Sequence, residues 1–158
     1  MNLSALKSPP FRSYVVSLHL ALNGFWAQRV IIGWLAWELT GSAGFVGLVA
    51  FLNFFPTLFV SPLFGVFADR IDVRKGSILS YALAGILSAL FAGLCIFGSP
   101  TPVFLALFSF VTGVISSANH PMRMSLTPRL APAGDLPSVV AITSLNFNMS
   151  RLTGPAIG

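Results

Sequence analysis

The length of the apolar runs constrains this chain more than any other feature. Four of them lie before residue 124, at about Tyr14–Glu38, Ala43–Gly65, Ser77–Phe97 and Pro102–Arg123. A helix needs about 20 largely apolar residues to cross the hydrocarbon of a bilayer. Within lipid every backbone N–H and C=O must be satisfied internally, and a helix does this with its own hydrogen bonds. The expected fold is therefore all-α and integral to a membrane. It has four complete spans and most of a fifth, which starts near Leu136 and is still running at Gly158. Breaker-rich stretches, "LTGSAG", "FGSPTP" and "APAGDLP", separate the runs.

Composition closes off the soluble alternatives. Only 8% of residues are charged and 55% are hydrophobic, against about 25% charged in a soluble domain. The net charge of +5 comes from few, scattered cations, which argues against nucleic-acid binding. Cys95 has no partner for an intrachain disulfide and reads as a packing residue. The N-terminal "MNLSALKSPPFRSYVV" opens like a signal peptide, but its apolar run continues well past the roughly 7–15 residues of such a segment. It is read as a retained first span.

Basic residues set orientation in membrane proteins. Lys7 and Arg12 precede the first run, Arg70, Arg74 and Lys75 follow the second, and Arg123 and Arg129 follow the fourth. The connections "TGSAG" and "GSPTP" hold no Lys or Arg. All three basic segments thus fall on one side, expected to be the cytoplasm, with the N-terminus there too. The stretch "FGVFADRIDVRKG" adds Asp69 and Asp72 to its cations. By composition alone the loop need only pin topology, but acids contribute little to orientation, so Asp69 and Asp72 point to a further role. Asp69 stands just ahead of a new helix, where a carboxylate can meet unsatisfied N–H groups.

Two arginines fall inside the spans. A charge at such depth is costly and usually faces protein or water. On a helical wheel His19, Asn23, Trp26, Arg29, Gly33 and Trp37 share one stripe of the first span. Asn148, Arg151, Pro155 and Gly158 share a side of the fifth, and Arg151 lies on the order of 20 Å in at 1.5 Å per residue. Asn23, Arg29, Asn148 and Arg151 are the candidates for a substrate cavity or for pairing inside the membrane. Trp37 is read as an interfacial anchor. Ser109, Thr112, Ser116, Asn119, His120 and Arg123 form a polar face on span four, expected to look onto water. Tyr81, Gly85, Ala89 and Gly93 recur every fourth residue of span three as a helix-contact face. Asn53 is expected to make an interhelical hydrogen bond. No catalytic set, metal-ligand spacing or nucleotide-binding loop is present, so neither an enzyme, a cofactor nor an ATP-driven pump is expected.

The run Gly65-Val-Phe-Ala-Asp69-Arg70-Ile-Asp72-Val-Arg74-Lys75 resembles the signature loop of the major facilitator superfamily, which also falls between spans two and three. Asp72 stands where that motif usually has a second glycine, a departure found in a drug-exporter branch of enterobactin- and macrolide-exporter-like proteins. "WAQRVIIGWLAWELTGSA" and "HPMRMSLTPRLAPAGDLPSVVAITSLNFNMSRLTGPAIG" resemble the same branch. The resemblance implies a twelve-helix fold in two halves, with residues 1–158 an incomplete N-terminal half-domain and the C-terminal part missing. It implies a secondary transporter in the bacterial inner membrane, exporting a small amphipathic compound by alternating access. Gly65, Asp69, Arg70, Arg74 and Lys75 would form the cytoplasmic gate loop. Gly154, Pro155 and Gly158 partly match the exporters' fifth-span motif, with Ser150 in place of one glycine. Protons are a candidate coupling ion, as in an antiporter. However, the arginine that many proton-coupled members carry in span four is Ser109 here. A non-transporting membrane subunit, an inactive fragment and an importer of the same superfamily are the alternatives.

Overall fold

A computed structural model describes residues 4–68, 72–130 and 135–158, with the side chains of residues 64–68 and 120 outside the description. Five helices follow a short 3₁₀ turn at Ser4–Lys7: α1 (Pro9–Thr40), α2 (Ala43–Ala68), α3 (Val73–Phe97), α4 (Pro102–Leu126) and α5 (Leu136–Ile157). Four of them, α1 to α4, are long and apolar enough to cross a membrane. No strand occurs among the described residues. The fifth helix is long enough but more polar, for a reason that its packing supplies.

Local chemistry sets the helix ends. Pro9 and Pro10 open α1, where a missing N–H costs nothing. The helix ends at Gly41, whose φ of 60° is open mainly to glycine. Its N–H closes on the Trp37 carbonyl at 2.7 Å. Ser42 then opens α2, its Oγ accepting the Phe45 N–H at 3.3 Å. Asp72 caps α3: its Oδ1 accepts the N–H groups of Arg74 at 2.9 Å and Lys75 at 3.3 Å. Helix α3 thus begins four residues before the Ser77 expected from hydropathy, and Arg74 and Lys75 sit in its first turn. Two cations there oppose the helix dipole, and the Asp72 carboxylate offsets them. Thr101 receives the Phe104 N–H at 3.2 Å ahead of α4. Helices α1, α2 and α4 likewise overrun the apolar limits expected from hydropathy.

The chain packs as two units. One comprises Ile31–Arg123. Its core is Ile32, Ala36, Val49, Phe91, Leu105 and Phe108, with the rings of Phe91 and Phe108 stacked 4.3 Å apart. Helix α2 joins α4 through Asn53, whose Nδ2 donates to the Ser109 carbonyl at 3.3 Å and to Thr112 Oγ1 at 3.1 Å. Gly113 makes that approach possible. A Cβ there would collide with the Asn53 carbonyl oxygen and lie 3.0 Å from its carbon. Ser80 of α3 donates to Asn119 Oδ1 of α4 at 2.6 Å.

The expected water-facing side of α4 is corrected accordingly. Ser109 and Thr112 are buried and spend their hydroxyls on backbone carbonyls, while Asn119 holds α3. Among the described residues the glycines of the small-residue face of α3 make no close helix contact. A Cβ on Gly85 or Gly93 would meet nothing within 4 Å. That helix packs instead through Val73, Ser77, Ser80 and Phe91.

The other unit comprises Met1–Val30 and Met124–Gly158. Ala5, Phe11, Val139 and Ile142 form its core. Tyr14 hydroxyl meets Thr127 Oγ1 at 3.0 Å, and Ser8 Oγ donates to the Leu130 carbonyl at 3.2 Å. Asp135 precedes α5 but does not cap it with its side chain. It accepts the Ser4 hydroxyl at 2.5 Å instead.

Candidate functional site

Ser138, Ile142, Asn146, Ser150, Gly154 and Gly158 recur every fourth residue of α5, and all but the terminal glycine are buried. Such a row forms one ridge of a helix. It lies along a matching row on α1 that contains Val15, His19, Asn23 and Ala27. Two glycines set the approach. A Cβ on Gly154 would lie 2.5 Å from Trp26 Cβ and 2.9 Å from the Asn23 carbonyl oxygen, and one on Gly158 would lie 2.7 Å from the Ala27 carbonyl oxygen.

Because the backbones lie so close, short polar side chains reach across. Asn146 Nδ2 donates to the Val15 carbonyl at 3.1 Å, and Asn146 Oδ1 meets His19 Nδ1 at 2.6 Å. Ser150 Oγ lies 3.0 Å from the same nitrogen. Asn23 Nδ2 donates to the His19 carbonyl at 2.9 Å and weakly to Ser150 Oγ at 3.4 Å. Thr153 Oγ1 donates to Asn23 Oδ1 at 2.6 Å. This seam explains why α5 is too polar to match the other four helices. Its Asn146, Ser150 and Thr153 side chains are paired with α1, so they need no water.

Beyond the seam lies an aromatic platform. The guanidinium carbons of Arg29 and Arg151 lie 5.4 Å and 5.8 Å from the Trp26 ring centroid, within cation–π range. Arg29 also lies 5.6 Å from the Phe25 ring. Phe147 meets Trp26 edge-on at 5.9 Å. Trp26 Nε1 is buried and has no hydrogen-bond partner among the described residues. Two cations from two helices thus share one indole, a surface suited to anionic or hydrogen-bond-accepting groups.

The structure brings several of the expected residues together. Asn23, Arg29 and Arg151 belong to this seam and platform, and Gly154 and Gly158 make its close contacts. Asn148 does not join them. It is exposed and donates to the Ser144 carbonyl of its own helix at 2.9 Å. Pro155 lies within α5 and is also exposed. Asn146, Ser150 and Thr153 were not anticipated as partners of α1, although the every-fourth-residue row was visible in the sequence. Of the expected gate loop, Gly65 lies within α2 and Arg74 and Lys75 open α3. Asp69 and Arg70 lie outside the described residues. Among those described, Asp72 supplies the cap expected of Asp69. No cluster of metal-binding side chains occurs among the described residues.

Comparison with known proteins bears on what this arrangement serves. A family model described as "transmembrane secretion effector" matches residues 1–158. The chain is 25% identical to the staphyloferrin A transporter of Staphylococcus aureus, over 89% of its own length and 36% of that protein's. It is 30% identical to the enterobactin exporters of Escherichia coli and Citrobacter koseri, over its full length and 38% of theirs. The chain therefore spans little more than a third of the length of these relatives. No solved structure matches it.

Proposed function

The chain belongs to the transmembrane secretion effector family of the major facilitator superfamily, and from that premise we propose that it is part of a secondary transporter exporting a small amphipathic compound. The observation that carries the reading is the family match over all 158 residues. The platform at Trp26, Arg29 and Arg151 supports a substrate bearing acidic or acceptor groups. Enterobactin, named in two relatives, is the first compound to test. In the whole transporter a second set of helices would complete the cavity, and alternating access would move the substrate outward.

The multi-pass chain would lie in the bacterial inner membrane with its N-terminus in the cytoplasm, in keeping with the one-sided cations. Gly65, Asp69, Arg70, Arg74 and Lys75 would then sit at the cytoplasmic gate. There Asp69 would contact the second half in one conformation and lose that contact in the other. A gate contact acts on the equilibrium only through such a difference. Gly154 and Gly158 would hold α5 against α1 through the cycle, and Pro155, on the exposed side, would let the helix bend.

The test is secretion. The full-length protein is expressed in cells that make enterobactin but lack an exporter, and enterobactin is measured in the medium and inside the cells. Export is expected from the wild type. Asp69→Asn should lose most of it at normal abundance, and Asp72→Asn should be far milder because asparagine still caps α3. Absence of export by the wild type would refute the substrate. Equal export by the two variants would reduce the loop to a topology signal.

A further inference from the structure

We propose that the entry of α1 and the junction between α4 and α5 together bind the headgroup of an anionic phospholipid, with Lys7, Arg12 and Arg129 as the cations. Such a site requires only that the chain span a membrane, whatever the substrate.

The three cations come from two places far apart in sequence. Ser8 Oγ donates to the Leu130 carbonyl at 3.2 Å, across 122 residues. Lys7 precedes Ser8 and Arg129 precedes Leu130, so each lies one Cα step, about 3.8 Å, from that contact. Arg12 stands one helical turn further on, its N–H bonded to the Ser8 carbonyl at 3.0 Å. All three side chains are exposed. The frame beneath them is fixed. Ala5 and Phe11 are fully buried, in a core shared with Val139 and Ile142. The Ala5 N–H donates to Ser138 Oγ at 3.2 Å, and the Tyr14 hydroxyl meets Thr127 Oγ1 at 3.0 Å. The residues ahead of the first span are therefore packed against α5 and hold their cations in place.

Orientation alone needs no such frame. It requires cations on one side of the membrane, not cations drawn together. Gathering like charges is unfavourable, the more so beside a low-dielectric layer. Residues 1–30 and 124–158 contain one acid, Asp135. Its carboxylate accepts the Ser4 hydroxyl and offsets at most one of the three charges. Helices α1 and α5 both begin here, and the positive ends of their dipoles add to the field. Arg74 and Lys75 differ, because Asp72 caps the turn that carries them. The excess charge at Lys7, Arg12 and Arg129 calls for an anion at the level where the apolar spans meet water. A phospholipid phosphate lies at that level and accepts charge-assisted hydrogen bonds from Arg and Lys. Its acyl chains have a place as well. Val16 and Leu20 follow Arg12 at four-residue steps, on one ridge of α1, and both are exposed. Basic pockets at the ends of membrane helices take anionic headgroups in this way.

The experiment has two arms, both on the full-length protein. In the first, a phosphatidylglycerol analogue with a photoreactive headgroup is crosslinked to the wild type in phosphatidylcholine nanodiscs, and the adducts are mapped by mass spectrometry. They should concentrate on residues 4–14 and 127–130. Adducts that favour other regions overturn the proposal, and so does a phosphatidylcholine analogue that labels these residues equally. This arm uses no variant, so it decides even where loss of cations alters insertion. In the second arm, short-chain phosphatidylglycerol is titrated into protein in neutral detergent, and bound lipid is counted by native mass spectrometry. Arg12→Gln/Arg129→Gln should weaken binding about 25-fold, about fivefold per cation. Arg74→Gln/Lys75→Gln removes the same charge and should bind lipid as the wild type does. Equal loss in the two variants would reduce the effect to diffuse surface charge and overturns the site. Displacement of the lipid by inorganic phosphate at equal concentration would make it a site for free anions and overturns it too.

Discussion

Replacing Gly154 by alanine tests the seam at its closest point. The added Cβ would lie 2.5 Å from Trp26 Cβ, whereas carbon atoms rest about 3.5–4.0 Å apart. Neither the Trp26 Cβ nor the Asn23 carbonyl is the free end of a flexible side chain. The helices must therefore part locally by about 1 Å. The Thr153–Asn23 bond, now 2.6 Å, would open to about 3.6 Å, beyond the range of an O–H···O bond. Overpacking costs about 1–3 kcal/mol, and an interhelical hydrogen bond in a membrane about 0.6 kcal/mol on average. Alanine gains up to about 1 kcal/mol over glycine in helix propensity, which blurs the single comparison. Gly85→Ala supplies the control, because its Cβ would meet nothing within 4 Å and it shares the same gain. The difference between the two variants should be about 2–3 kcal/mol, or roughly 30- to 150-fold in the folding equilibrium. Titrating the purified full-length protein with SDS and following helicity would measure it. Equal stability of Gly154→Ala and Gly85→Ala would refute the close packing of α5 on α1.

Three further outcomes are expected. Asn53→Leu should destabilise the α2–α4 pair by about 0.6–1.7 kcal/mol in the same titration, since it removes two hydrogen bonds across one contact. Asp72→Ala should lower stability by about 0.5–2 kcal/mol through loss of the α3 cap, while Asp72→Asn stays close to wild type; thermal unfolding in detergent would separate them. Arg151→Ala should abolish enterobactin export, whereas membrane insertion should ease by up to about 2.5–3.5 kcal/mol. Glycosylation-reporter insertion assays alongside secretion would read both, and wild-type export from that variant would remove Arg151 from the site.

The helices were legible because lipid imposes a length on apolar runs, and length survives in sequence without knowledge of packing. Their ends were less so. Arg74 and Lys75 look like loop when counted by hydropathy, yet a carboxylate two residues upstream is enough to start a helix over them. Phase was harder still. A wheel places residues relative to each other but not relative to a neighbour. The charged stripe of Arg151 therefore drew attention from the smaller row of Asn146, Ser150 and Gly154, which faces α1. The same every-fourth-residue pattern drew attention to Gly85 and Gly93, whose Cβ positions are open. Small residues permit close approach, and only a partner with a matching row realises it. Ser109 and Thr112 misled in the same manner, because hydroxyls that bond their own helix carbonyls are compatible with burial.

The reversal between α1 and α2 has a consequence for biosynthesis. It takes only Gly41 and Ser42, and it satisfies its own polar groups. Gly41 N–H bonds back to Trp37, Ser42 N–H to Thr40 Oγ1 at 3.2 Å, and Ser42 receives Phe45 and Val46. A turn of this kind requires no water to close. As the chain leaves the ribosome, α1 and α2 can enter lipid as a hairpin before α3 has been synthesised. Ile32 and Ala36 on one arm and Val49 on the other then form a template on which later helices condense. The order of assembly is thereby written into two residues. A replacement at Gly41, where φ is positive, would delay the first committed step of membrane integration rather than weaken the finished protein at a distance.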